Sequence, residues 1–223
     1  MTPVSDEAAA LVYDVVVIGS GGAGLAAAVI AAQQGLRVAI VEKSHLVGGT
    51  TATSGGGAWI PANILMANAG QGESSGRAFA YLRTVIGPSC NEDMIRCFLD
   101  NGPDALAYLQ KNTLLNFSTR AFSPDYYSDL PDATTSSRGL DTVEYDGRSL
   151  GKDLAIVRPA RPESLLFGGM AVNGADIAHL RKMFRSPRSL LHALRLISRY
   201  AVRRLTYGHD TRLVLGRAMI GRL

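Results

Sequence analysis

The sequence predicts an α/β fold with a parallel sheet, and three observations carry that prediction. A β-branched run, Tyr13-Asp14-Val15-Val16-Val17-Ile18-Gly19, precedes an alanine-rich stretch from Gly22 to Gln34, and a second apolar run follows from Leu36 to Glu42. Continuous apolar strands belong to parallel sheets covered on both faces, so both runs are expected to be buried. Ala26, Ala27, Ala28, Ala31 and Ala32, with Leu25, Val29 and Ile30 among them, favour a helix; Gly35 supplies the residue that tolerates positive φ at its end. Together they make a strand-helix-strand unit with a right-handed crossover.

Beyond Glu42 the pattern changes. Gly48 to Gly57 is a loop of glycine, threonine and serine leading into Ala58-Trp59-Ile60-Pro61. Helices are expected over Arg77 to Val85, from Asn91 to about Gly102 with Glu92 and Asp93 in the first turn, and from Pro103 to about Lys111. Asn116 to Arg138 is rich in turn residues and aromatics. Thr142-Val143-Glu144-Tyr145 before Asp146-Gly147 reads as a strand entering a tight hairpin. Ser186-Pro187 opens a long amphipathic helix with Leu190, Leu191, Leu194, Ile197, Ala201 and Leu205 on one side and arginines on the other. There is no internal repeat.

The 223 residues are 47% hydrophobic and 19% charged, an ordinary globular composition with enough apolar side chains for one sizeable core. No apolar run approaches the roughly 18 residues of a membrane span, and Asp6 and Glu7 stand where a secretory signal is basic. A cytoplasmic protein is expected. Cys90 and Cys97 fit neither a C-x-x-C pair nor a disulfide framework and are read as packing residues. The net charge of +4 is uneven: about half of the Lys and Arg lie between Arg181 and Arg222, where Asp210 is the sole acid. No nucleic-acid motif accompanies this basic stretch, which argues against a nucleic-acid partner. His179, His192 and His209 have no metal spacing, and no metal site is expected.

Gly19-Ser20-Gly21-Gly22-Ala23-Gly24 fits G-x-G-x-x-G between a strand and a helix N-terminus. The first glycine makes the tight turn, the second lets the backbone approach a pyrophosphate, and the third lets helix and strand pack closely. Free N–H groups and the helix dipole at that terminus favour phosphate. Glu42, followed by Lys43, ends the second strand about 18 residues past Gly24, where an acid accepts hydrogen bonds from an adenosine ribose. One glycine turn suffices for a pyrophosphate, so the second cluster calls for a further ligand surface. There Gly49, Thr50, Thr51, Ser54, Gly55, Gly56 and Gly57 combine close backbone approach with hydroxyls for phosphate, ribityl or ring heteroatoms. That points to a flavin dinucleotide, FAD.

These motifs, with Gly48 to Pro61 read as one block, resemble the FAD-dependent fumarate reductase and succinate dehydrogenase superfamily, and within it the 3-ketosteroid Δ1-dehydrogenase branch. The likeness continues through Gly102-Pro103, Pro124-Asp125-Tyr126-Tyr127, Tyr145 to Gly151, Arg158-Pro159, Pro162-Glu163 and Phe167-Gly168-Gly169-Met170. It implies a Rossmann-like FAD-binding fold, incomplete here: an N-terminal tail over 1–13, an FAD-binding domain over 14–175, and a basic helical segment over 176–223. It also implies removal of a hydride from C1 of a 3-oxosteroid to the flavin while a tyrosine takes a proton from C2, with an external electron acceptor. In such enzymes the base and the carbonyl-binding tyrosine lie in regions that this chain lacks, so the chain alone is expected to be inactive. Tyr126, ahead of Tyr127, is the family tyrosine that maps onto it, as a residue lining the ring-A pocket.

Some superfamily members bind FAD covalently through a histidine, but Gly49 stands in that register and His45 lies several residues away, so non-covalent FAD is expected. A dicarboxylate or enoate reductase, or a non-catalytic flavin-binding fragment, are the rival readings. For the basic helix two readings stand side by side: a leucine face packed on the protein with solvated arginines, or a peripheral contact with an acidic membrane surface.

Overall fold

In a computed structural model, residues 12–120 and 122–223 are described; most of the tail expected over 1–13 lies outside them. Strand β1 (Val15–Ile18) pairs in parallel with β2 (Val38–Val41), Val15 opposite Val38 and Ile18 opposite Val41. Helix α1 (Gly22–Gln33) makes the crossover and ends before Gly35 at φ +83°. The expected burial of both strand faces is not found. Val15 and Val17 are half-buried and Val17 lies under α1, whereas Val16, Ile18 and Val41 share the opposite face and are exposed, Ile18 to 89%. Among the described residues the sheet has two strands and a helix on one face only.

A second sheet is antiparallel, with β5 (Gly139–Thr142) between β3 (Gly57–Trp59) and β4 (Phe117–Thr119). Leu106, Leu115, Phe117 and Leu140 form a core beneath it, closed by Ala58, Ile60, Leu65 and Met219. Helix α2 (Ile64–Asn68) is capped by the Asn63 side chain, which accepts from the Met66 N–H at 3.0 Å. Helix α3 (Ser75–Ile86) packs on α4 (Glu92–Asn112), with Ala78, Ile95 and Leu99 buried between them. Cys90 packs beside this cluster, while Cys97 is exposed. The two helices expected on either side of Gly102-Pro103 are thus one. A proline inside a helix removes one backbone bond, but Ile95, Leu99 and Leu106 fall on one stripe that stays buried across it.

The hairpin expected at Asp146-Gly147 is also absent. Strand β6 (Tyr145–Asp146) pairs with β9 (Arg212–Leu213), not with its own neighbour in sequence. Asp146 instead caps a 3-10 turn by accepting from the Arg148 N–H at 3.1 Å. Gly147 is there for space: a Cβ would stand 2.7 Å from the Thr211 carbonyl oxygen. Short strands β7 (Leu165–Leu166) and β8 (Met170–Ala171) pair antiparallel, and α5 (Gly174–Arg181) opens with a reciprocal Asn173–Asp176 capping box.

Helix α6 (Pro187–Tyr207) starts where the sequence places it and ends at Gly208, φ +78°. Its packed face is not the expected one: of the expected apolar side only Ile197 packs, at the edge of the buried line, while the arginines Arg195 and Arg199 are exposed as expected. Ser189, Ala193, Leu196 and Tyr200 form the buried line, the last two against Met170 and Val172. Leu191, Leu194 and Leu205 are exposed on the other side. Small residues at the packed positions let the helix sit close, and Tyr200 fills the remaining space with its hydroxyl donating to the Phe167 carbonyl at 3.2 Å. Helix α7 (Leu215–Arg222) packs against the 3-10 turn Thr51–Thr53 and α1. No described helix is long and apolar enough to cross a membrane.

Candidate cofactor site

The first glycine loop behaves as its spacing requires. Gly19 sits at φ +94° with its N–H donating to the Val41 carbonyl at 2.8 Å, which ties the turn to β2. A Cβ on Gly24 would stand 2.1 Å from the Gly19 carbonyl oxygen, so only glycine lets α1 start this close to the loop. A Cβ on Gly21 would meet nothing closer than Thr51 Oγ1, 3.9 Å away, and the space beside it is open. The N–H groups of Ala23 and Gly24 have no acceptor among the described residues, while the Gly22 N–H donates to Thr51 Oγ1 at 3.0 Å.

Glu42 is held from three directions. The Ser20 N–H and hydroxyl donate to its Oε2 at 3.0 and 2.6 Å, and the Ser44 N–H donates to Oε1 at 3.1 Å. The Ser20 hydroxyl, then the Ser20 and Ser44 N–H groups, lower its pKa to about 2. A carboxylate has about four acceptor positions, so one remains. The Ser20 oxygen in turn accepts from the Gly48 N–H at 3.1 Å, joining the two glycine loops through one buried serine. Lys43, by contrast, is exposed and makes no side-chain hydrogen bond among the described residues.

The second loop folds back on the first. Gly49 is at φ +50°, and a Cβ there would stand 3.4 Å from Gly21 Cα. Thr51 and Ser54 lie on the 3-10 turn, with the Ser54 hydroxyl donating to the Thr51 carbonyl at 2.8 Å. Thr50 and Gly55 are exposed, and Gly55 faces open space. Gly57 begins β3, with the Arg120 guanidinium 3.7 Å from its Cβ position.

Helix α7 was not foreseen as part of this site. A Cβ on Gly216 would stand 1.7 Å from the Thr51 carbonyl oxygen, and one on Gly56 would stand 2.2 Å from the Leu215 carbonyl carbon. The Gly216 N–H donates to the Ser54 carbonyl at 3.2 Å. Leu215, a non-glycine residue at φ +57°, carries backbone strain at the same junction. The signal in the sequence is a pair of glycines, Gly216 and Gly221, inside a helix where each costs about 1 kcal/mol and so marks a close approach.

The turn carrying Tyr126 and Tyr127 rests on a buried cation. Arg138, 0% exposed, donates to both Glu73 carboxylate oxygens at 2.7 Å, to Asp125 Oδ2 at 2.7 Å and to the Asp132 carbonyl at 3.0 Å. Burial works against its charge, but Glu73 and Asp125 outweigh that and raise its pKa. The Trp59 indole N–H donates to Asp125 Oδ1 at 2.8 Å, and the guanidinium lies over the Trp59 and Tyr81 rings at 5.7 and 5.3 Å. On this base Tyr126 is fully exposed, and the Tyr127 N–H donates to the Tyr81 hydroxyl at 3.3 Å. Tyr126 is near enough to Arg120, the residue beside Gly57, to help raise its pKa, although the Asp141 carboxylate is the main cause.

The model of the family described as FAD binding domain matches residues 14–223. The chain belongs to that family. It is therefore an FAD-binding member of a group of oxidoreductases, and the cradle fits the cofactor: a glycine without Cβ beside open space, free N–H groups at a helix start, and an oriented carboxylate. Among its relatives, the 3-oxosteroid 1-dehydrogenase of Mycobacterium tuberculosis is 35% identical over 95% of this chain and 37% of its own length. The 4-oxocyclohex-2-ene-1-carboxylate 5-dehydrogenase of Sinomonas cyclohexanicum is 36% identical over 83% of this chain and 31% of its own. The crystal structure of 3-ketosteroid delta1-dehydrogenase from Sterolibacterium denitrificans, in complex with 1,4-androstadiene-3,17-dione, superposes with a TM-score of 0.83 at 34% identity. It covers 94% of this chain and 37% of that one. The chain thus spans just over a third of the mycobacterial relative and of this solved chain.

Proposed function

We propose that this chain is the FAD-holding part of an enzyme that dehydrogenates a cyclic ketone beside its carbonyl, with a 3-oxosteroid as substrate and an external electron acceptor. The superposition on the Sterolibacterium enzyme, over nearly the whole chain, carries this reading. The two kinds of relative named above support the reaction class: each is named for dehydrogenation of an oxo-substituted ring.

In this reading the free N–H groups of Ala23 and Gly24 at the start of α1 hold the pyrophosphate, with Gly21 leaving it room and Gly22 tied to Thr51 beside it. Glu42 offers its remaining acceptor position to the ribose, with Gly19, Ser20 and Lys43 around it. Gly49, Thr50, Thr51, Ser54, Gly55, Gly56 and Gly57 line the flavin side. When bound, the flavin supplies the hydride acceptor. Tyr126 presents a phenol to the steroid from a turn that Arg138 keeps rigid, and the proton-removing base lies outside these residues. The exposed Leu191, Leu194 and Leu205 on a basic helix support a peripheral contact with an acidic membrane, a suitable source of a lipophilic substrate.

The test has two arms. The purified chain is expected to bind FAD, and acid precipitation to leave the yellow flavin in the supernatant, because Gly49 offers no linking side chain. Turnover of androst-4-ene-3,17-dione with an artificial acceptor is expected to be undetectable, since losing a general base and an oxyanion donor costs at least about 10⁴-fold. A chain that takes up no FAD would overturn the cofactor assignment. Steady steroid turnover by these residues alone would overturn the placement of the base.

A further inference from the structure

A cleft of about 690 Å³ opens between α6 and the β6–β9 ribbon, and no residue of the two glycine loops lines it. Its size is that of a small-molecule site. Five arginines line it, Arg148, Arg195, Arg199, Arg203 and Arg212, against three acids, Glu144, Asp146 and Asp176. Each acid is already engaged. Asp146 accepts from Arg148 at 2.8 Å, Glu144 from Arg212 at 2.8 Å, and Asp176 from Arg212 at 2.8 Å and from His192 at 2.9 Å. Arg203 is matched by Asp210 at 2.6 Å.

Two cations remain. Arg195 and Arg199 have no ion-pair partner among the described residues. They stand four residues apart on α6, which places them on one helix face about 6 Å apart. A second observation is independent of charge. Thr211, 2% exposed and on the cleft wall, has a hydroxyl without a hydrogen-bond partner among the described residues, and Arg203 Nη2 is likewise buried and unpartnered among them. A buried polar atom left unsatisfied costs free energy, so such atoms mark where a missing partner belongs.

We propose that this cleft binds a multiply charged phosphate-type anion, with Arg195 and Arg199 as the charged clamp and the Thr211 hydroxyl as a donor from the wall. Guanidinium forks suit tetrahedral oxyanions because they donate two parallel N–H bonds. The phosphate comes either from a free metabolite or from a lipid headgroup, the latter presented beside the exposed leucines of α6. The site stands apart from the cofactor cradle and does not depend on the steroid reading.

The experiment uses the full chain saturated with FAD, so that the α1 terminus is occupied, titrated calorimetrically with inorganic pyrophosphate at fixed ionic strength. Saturable binding is expected, weakened at least about 10-fold in Arg195→Gln/Arg199→Gln, since each lost charged hydrogen bond is worth a factor of about ten or more. Thr211→Val, which preserves volume, is expected to weaken it several-fold. In a parallel arm, phosphatidylcholine vesicles with and without phosphatidic acid, whose headgroup is a phosphomonoester, are sedimented with the protein. Arginine-dependent binding to the anionic vesicles but not to pyrophosphate would assign the headgroup as the source; the converse would assign a free phosphate. Binding that survives the double substitution in both arms, or no binding in either, would overturn the proposal. Both arginines are exposed, so unchanged FAD uptake by the double variant serves as the check on folding.

Discussion

Replacing Arg138 with methionine tests whether one buried cation organises the turn below Tyr126. The substitution keeps roughly the length of the side chain and removes the guanidinium. Two carboxylates, Glu73 and Asp125, then stay 5% and 1% exposed with no cation. Removing one partner of a buried pair costs about 3–5 kcal/mol, far more than an exposed pair is worth. For a chain of this size each kcal/mol moves the midpoint by about 2–4 °C, which gives a fall in Tm of about 6–20 °C. Far-UV circular dichroism melts near neutral pH read the fall. A midpoint within about 2 °C of the parent would refute the reasoning.

Glu42→Gln is expected to weaken FAD binding by roughly 10- to 100-fold in a fluorescence titration, because the ribose loses a charged acceptor. In the FAD-free protein the depressed pKa of Glu42 adds stability that is complete above its ordinary 4.5 and is lost as pH falls toward about 2. Glu42→Gln should therefore flatten the acid limb of a stability-against-pH curve; an unchanged limb would show that Ser20 does not hold the carboxylate. Gly21→Val, whose side chain enters open space, should abolish FAD uptake with little change in Tm, whereas Gly216→Ala should lower both, since its methyl group meets the Thr51 carbonyl. Equal behaviour of the two variants would contradict the separate roles assigned to them.

The parts legible in the sequence were those whose cause is local. Gly19 and Gly24 are required by a turn and a packing contact within six residues, and the β1–α1–β2 unit follows from one continuous pattern. The positions of α3 and α6 followed from periodicity and capping residues, Ser186 among them. What escaped reading depends on distant partners. The Asp146-Gly147 turn signal gave way to β9, more than sixty residues later. The packed face of α6 is marked by Ser189, Ala193 and Tyr200 rather than by its leucines, because Met170 and Val172 decide which side is covered. The bond from Ser20 to Glu42 and the cation at Arg138 leave no periodic trace, since a hydroxyl or an arginine has many partners available to it.

The interlock of Gly216 with Thr51 also sets an order of events during synthesis. The β1–β2 pairing and its α1 crossover lie within residues 15–41 and can form early, as local structure does. The second glycine loop has its backing only after roughly 165 further residues have been made, which takes roughly 8 to 33 s at about 5–20 residues per second. Through that interval the nascent chain carries half of its cofactor cradle. Flavin capture is thus expected as a late step, one that waits for α7 to back the second glycine loop.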